Sequence, residues 1–169
     1  METVLVSLLT LVMLIVSTLV MFGVSLKSVN TISDSFQAME KQSISIQMTS
    51  IDLVYDSLGG GVLAMDVLNR GQSDLKDYPL WNVLVALADG TTTLLSYTTE
   101  LSPADNEWTV QSMWMTQGVP EVFGLGLLNP GERMTILLNV SPALESRQAV
   151  LVTVATPNGI SAQCQLITP

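Results

Sequence analysis

Two pairs of carboxylates lie close enough in sequence to suggest acid–base work: Asp74 with Asp77, and Asp105 with Glu107. That chemistry needs one acid and one base set across a substrate bond. Each pair instead sits in a polar stretch, around Lys76 in the first and Asn106 in the second, that reads as solvated loop. Neither stretch carries the Asp-x-Asp-x-Asp-Gly order of a calcium loop. The sequence has no histidine, which removes the commonest general base, the commonest metal ligand and every His-containing triad. Its single cysteine, Cys164, excludes intrachain disulfides and Cys-rich metal sites, and its place on an apolar strand face predicts an inert thiol. Gly59, Gly60 and Gly61 lack a following Lys-Ser/Thr and read as a turn, not a phosphate cradle. Trp81, Trp108 and Trp114 could stack on a ligand, but large aromatics on strands are expected in a core. Asn139-Val140-Ser141 is a glycosylation sequon, which makes Asn139 a candidate acceptor. No catalytic residue, metal or cofactor is expected, and an enzyme is the least favoured class.

Charge and hydropathy exclude further classes. The 169 residues hold 6 Lys plus Arg against 15 Asp plus Glu, a net charge of −9. A surface of that sign repels phosphate backbones and anionic lipid head groups, so nucleic acid is set aside as a partner. Mean hydropathy is +0.46, high for a soluble domain, and much of the excess comes from residues 3–26. That run is uncharged, and 17 of its 24 residues are Val, Leu, Ile, Met or Phe. As a helix it would be about 36 Å long, enough to cross a hydrocarbon layer of about 30 Å. It is too long for a signal-peptide core and nothing basic precedes Lys27.

The helical pattern runs on. Val29, Ile32, Phe36 and Met39 recur at spacings of three and four, with polar residues between them, so one helix is predicted from about 3 to 42. It is apolar all round at first and one-sided afterwards. Ser7, Thr10, Ser17, Thr18, Gly23 and Ser25 are small enough to let helices approach closely. Such a helix suits either a bitopic anchor with a stalk or a bundle of identical copies. In the bundle, Leu5, Leu8, Leu11, Val12, Ile15, Leu19, Phe22, Val29, Ile32 and Phe36 are the expected packing residues.

From Ile44 the period changes to two: Ile44, Ile46 and Met48 alternate with polar residues, and strands are expected at about 51–55, 62–69, 81–88, 92–98, 108–115, 134–141, 149–156 and 160–167. The three glycines at 59–61, Asp89-Gly90, Asn129-Pro130-Gly131 and Pro157-Asn158-Gly159 supply turns between them. The predicted fold is α+β: a long N-terminal hydrophobic α-helix, residues 1–42, then an antiparallel Ig-like β-sandwich of about eight strands over 44–169. Leu84, Leu137 and Leu151 fall out of phase with the inward residues of their strands. A strand apolar on both faces is covered on both faces, either by the chain's own loops or by a neighbouring subunit.

This layout resembles the type IV pilin-like filament subunits, and within them the archaellins of the archaeal-type swimming filament. Four stretches carry the closer resemblance: Asp66-Val67-Leu68-Asn69-Arg70-Gly71, Asn106-Glu107-Trp108-Thr109-Val110, Leu128-Asn129-Pro130-Gly131-Glu132 and Thr156-Pro157-Asn158-Gly159. The resemblance extends to archaellin-like proteins encoded in some bacteria. Many bacterial type IV pilins have Glu at the fifth mature position; here that position is Leu5 and the early acid is Glu2, which favours the archaellin branch. The resemblance implies a homo-oligomeric, extracellular helical filament for swimming, membrane-inserted only before assembly. It implies as partners a prepilin-type peptidase that removes a leader, a membrane platform and a separate assembly ATPase.

The helix supplies the physical case. Its 17 large apolar side chains are worth roughly 1.5–3 kcal/mol each out of water, about 25–50 kcal/mol in total as an upper estimate. No secreted monomer could leave that surface in water, whereas passage from bilayer to a bundle exchanges one apolar setting for another. In this reading Leu84, Leu137 and Leu151 are contacts between outer domains. The alternatives are a minor archaellum or pilus-like component, and a single-pass surface protein whose Ig-like domain binds an envelope component. Lys27 and Lys41 both follow the apolar run and, for a simple anchor, would favour a cytoplasmic sandwich.

Overall fold

The computed structural model describes residues 2–59, 61–115, 118–121 and 126–168, and of residues 2–5 and 26 the backbone alone. The chain divides into two compact units, Met1–Ser43 and Ile44–Pro169.

A single helix, α1, runs Glu2–Met48. Its 47 residues correspond to about 70 Å. The helix therefore continues through Ile44, Ile46 and Met48, where alternation had predicted the approach to a strand. Three alternating residues are too few to fix a period, and the end of α1 is closed by Thr49 next to it and by Gln72, a partner distant in sequence. Ile46 O accepts the Thr49 N–H at 3.2 Å, Ser45 O accepts the Thr49 hydroxyl at 2.8 Å, and Met48 O accepts the Gln72 N–H at 2.7 Å. Carbonyls that a helix end leaves unpaired are thus satisfied by the sandwich unit.

The second unit is built from eight strands: β1 Ile51–Gly59, β2 Val62–Asn69, β3 Asn82–Leu87, β4 Thr92–Tyr97, β5 Glu107–Trp114, β6 Arg133–Asn139, β7 Ala149–Ala155 and β8 Ser161–Ile167. They lie in the order β1-β2-β6-β5-β4-β3-β7-β8. Hydrogen bonding is antiparallel throughout except between β4 and β5, which run parallel over two residue pairs, Ser96 with Glu107 and Tyr97 with Trp108. This short seam is the departure from the expected all-antiparallel pattern. It joins a β1-β2-β6-β5 sheet and a β4-β3-β7-β8 sheet into one eight-stranded array, and the inward residues of both halves share one core.

Strand alternation places that core. Leu63, Met65 and Val67 from β2, Met134, Ile136 and Leu138 from β6, Val83 and Val85 from β3, and Val150, Val152 and Val154 from β7 are all buried in a single cluster. Trp108 and Trp81 join it; the Trp81 indole N–H donates to Lys76 O at 3.0 Å, so its polar atom is served. Cys164 packs against the cluster from β8. Turn chemistry behaves as its residues dictate. Gly131 adopts φ 83° at the third position of its turn, as a type II turn demands, and the Glu132 N–H closes it on Asn129 O at 3.1 Å. The Asp89 carboxylate accepts the Thr91 N–H at 2.8 Å in the β3–β4 hairpin, which holds its pKa below the ordinary carboxylate value. Of the expected glycine turn between β1 and β2, Gly60 lies outside the described residues.

Candidate assembly surfaces

The first surface is α1 itself. From Val6 to Val24 the large apolar side chains are 50–74% exposed, a range no isolated water-soluble helix presents on every side. Leu8, Leu11, Val12, Ile15, Leu19, Phe22, Val29, Ile32 and Phe36 are all exposed, while the side chain of Leu5 lies outside those described. By length and composition Val6–Met48 could cross a membrane. Its threonine hydroxyls are satisfied by the helix's own backbone. Thr10 donates to Val6 O at 3.1 Å, Thr18 to Leu14 O at 3.0 Å and Thr31 to Lys27 O at 3.0 Å. These small polar residues can therefore enter an apolar environment without an unpaired donor.

The second feature is a clamp on the last turn of α1, residues 44–48, which belongs to the sandwich unit. Asn158, at the β7–β8 turn, donates its amide to the Thr49 hydroxyl at 2.7 Å and to the Ser45 hydroxyl at 3.3 Å. From the other side the Arg70 N–H reaches Ser50 O at 2.8 Å. Gly71 approaches so closely that a Cβ there would stand 2.5 Å from Met48 O and 2.7 Å from Ser50 N. Asn69 is buried beneath, its amide shared between Ser73 O and Leu128 O at 2.8 Å each, and its backbone carbonyl accepts the Gly131 N–H. Three of the four turn stretches singled out in the sequence thus meet around one helix end. The fourth lies elsewhere: the Asn106 side chain, at φ 61°, accepts the Ser141 N–H at 2.9 Å.

The third feature is the pair of outer sheet faces. Leu84 and Leu151 are half-buried on the outside of the β4-β3-β7-β8 sheet, where Leu84 pairs with Leu94 and Thr153. Leu94 and Ile167, which the strand reading passed over, are 58% and 69% exposed on the same side. Their signal was present: Leu94 stands next to the inward Leu95, and one of two adjacent leucines in a strand must face out. Leu137 lies on the opposite sheet, in a recess of about 420 Å³ with Leu101, Pro103, Val62 and Ala64. The three leucines therefore occupy two faces. On the β1-β2-β6-β5 side Asp66 is buried, accepting the Thr135 hydroxyl at 2.8 Å and pairing with Arg133 at 3.2 Å. The Arg133 guanidinium lies 5.7 Å from the centre of the Trp114 ring, so the third tryptophan covers a polar cluster on the outer surface instead of joining the core.

The remaining candidates have structural employment. Asp74 and Asp77 are exposed, and Asp77 takes the left-handed conformation at φ 57° before the short turn Tyr78–Leu80. Glu107 accepts the Ala104 N–H at 2.9 Å. The Asn139 amide nitrogen, the atom a glycan would occupy, donates to Pro103 O at 3.0 Å.

No protein-family model matches the sequence, and no curated protein matches it. Solved structures do. The fold is similar to a subunit of the archaeal flagellum of Methanospirillum hungatei, with TM-score 0.65 and 16% identity over 97% of this chain and 92% of that one. It is also similar to the archaellum periplasmic stator protein FlaG of Sulfolobus acidocaldarius, with TM-score 0.53 and 20% identity over 70% of this chain and 99% of that one. A complex of FlaF and FlaG from the same organism contains a further match at TM-score 0.50 and 21% identity. At these identities the likeness establishes the fold, helix followed by sandwich, over nearly the whole chain.

Proposed function

We propose that this chain is a structural subunit of an extracellular helical filament of the archaeal-flagellum type, with α1 in a bundle of identical helices and the sandwich outside. The observation that carries this reading is the exposed, all-round apolar surface of α1 from Val6 to Val24. A bundle of copies covers that surface, and the self-satisfied hydroxyls of Thr10 and Thr18 suit such a setting. The likeness to the Methanospirillum hungatei flagellum, which extends through helix and sandwich alike, supports the choice of filament. A homopolymer of this kind needs a membrane to hold the subunit before assembly, a prepilin-type peptidase, a membrane platform and an assembly ATPase. Material sheared from the cell surface should show thin filaments of this chain by negative stain. A protein that stays monomeric in detergent-free buffer with residues 3–26 intact overturns the reading.

A second reading has its own observation. The FlaG structure is matched over 99% of its length, so the sandwich alone suits a stator-like envelope component held by α1 as an anchor. It predicts a monomer or small oligomer in detergent and no filaments.

A further inference from the structure

We propose that the outer face of the β4-β3-β7-β8 sheet of one copy seats in the Leu137–Leu101 recess on the opposite sheet of the next copy, a head-to-tail contact that repeats along the assembly. The proposal rests on the filament reading and names the surfaces through which the sandwiches meet.

Charge carries the argument. The strands β3, β4, β7 and β8 contain no Asp, Glu, Lys or Arg, whereas β1, β2, β5 and β6 carry Asp52, Asp56, Asp66, Glu107 and Arg133. In a chain of net charge −9, two copies repel over most approaches. An uncharged face brings no ion of its own to the contact, so the exposed Asp56 of the facing recess is the charged group that must keep its water. What that face presents is Leu84, Leu94, Leu151 and Ile167 among the exposed amides and hydroxyls of Gln163, Gln165 and Thr92. A basic partner would instead be drawn to the acidic remainder, and a lipid layer would have to desolvate the amides. A second acidic copy is the occupant this composition suits.

The choice of mating surface follows from geometry. The inner faces of the sheets share one core, so the outer faces point away from each other. Among the described residues the recess around Leu137 has one charged residue in its lining, Asp56, and Leu101 at its rim is 72% exposed. A face meeting its own copy would close a two-fold dimer and stop, while a face meeting the opposite side of a neighbour propagates. Four strands spaced about 4.8 Å apart and six residues long at about 3.4 Å make a patch of roughly 400 Å². That is about half of the roughly 800 Å² per partner typical of a stable interface. The contact needs a second tether to hold the copies close, and α1 supplies it.

The test uses the full chain with Cys164→Ser, carrying Leu94→Cys, Leu101→Cys or both, assembled and treated with a short bismaleimide. The double variant should give a ladder of dimer, trimer and higher bands, and each single variant should stay at monomer size. Adding Leu11→Asp to the double variant should remove the ladder, since the patch alone is too small. Dimers from Leu94→Cys alone would show self-pairing and overturn the proposal. Filaments without a ladder from the double variant, and from a second pair made of Gln163→Cys and Ser102→Cys, would overturn the contact and leave the filament reading standing. No filaments even from the Cys164→Ser parent, when the unaltered chain also gives none, would overturn both.

Discussion

Gly71 shows how a single missing side chain can hold a helix end in place. Its backbone lies against Met48 O and Ser50 N, both main-chain atoms that cannot swing aside, so Gly71→Ala must push the strand β2 exit away from the end of α1. We expect a loss of about 1–3 kcal/mol, the usual range for forcing an extra methyl into a packed site, measured as a lowered denaturation midpoint of the full chain in detergent. Asn158→Ala removes the amide that reaches Thr49 and Ser45 and should cost less, on the order of 1 kcal/mol, because both hydroxyls keep other partners or solvent. Glu121 offers a pH test. Partial desolvation and the neighbouring Glu132 raise its pKa above the ordinary carboxylate value. The folded state therefore holds the proton more tightly than the unfolded chain, and this contribution is present at low pH and lost as pH rises through the raised pKa. Glu121→Gln should raise the melting temperature at pH 7 and change it little near pH 4, as followed by thermal unfolding at both values.

At the scale of elements, α1 and the sandwich make separable demands. Leu11→Asp or Ile15→Asp places a charge where a helix bundle has no water, at a cost of several kcal/mol repeated in every subunit. Filaments should vanish by electron microscopy while the β-sheet signal in circular dichroism persists, since the core of residues 51–168 contains neither position. Much of this organisation was legible in advance. The spacing of Val29, Ile32, Phe36 and Met39 is helical on its face, and Val150, Val152 and Val154 alternate without ambiguity. The end of α1 was not legible, because Gln72 and Asn158, which join the local Thr49 in donating to its carbonyls, are distant in sequence, and local pattern carries no trace of them. The parallel seam of β4 on β5 was hidden for the same reason: it is two residue pairs long and set by how the loop at 98–106 returns. Trp114 was misread as core by residue type alone, when Arg133 pairs with it across β5 and β6 on the outer side.

For the whole molecule the decisive property is where charge is absent. Leu84→Ser with Leu151→Ser should lower the stability of the chain only slightly, since both side chains are already half exposed outside the core cluster. In an assembly the same pair should give short or brittle filaments, scored as a length distribution in micrographs, because each weakened contact recurs at every subunit. The uncharged sheet has a consequence for the medium around it. Interfaces that depend on ion pairs loosen as dissolved salt rises, since counterions screen the attraction within about 10 Å at 0.1 M and about 3 Å at 1 M. In the proposed contact the two bodies are acidic, one mating face is uncharged and the facing recess brings Asp56 with no cation opposite it, so added salt weakens a repulsion and no ion pair. Filaments of this chain should lengthen and stiffen in brine and fray in fresh water.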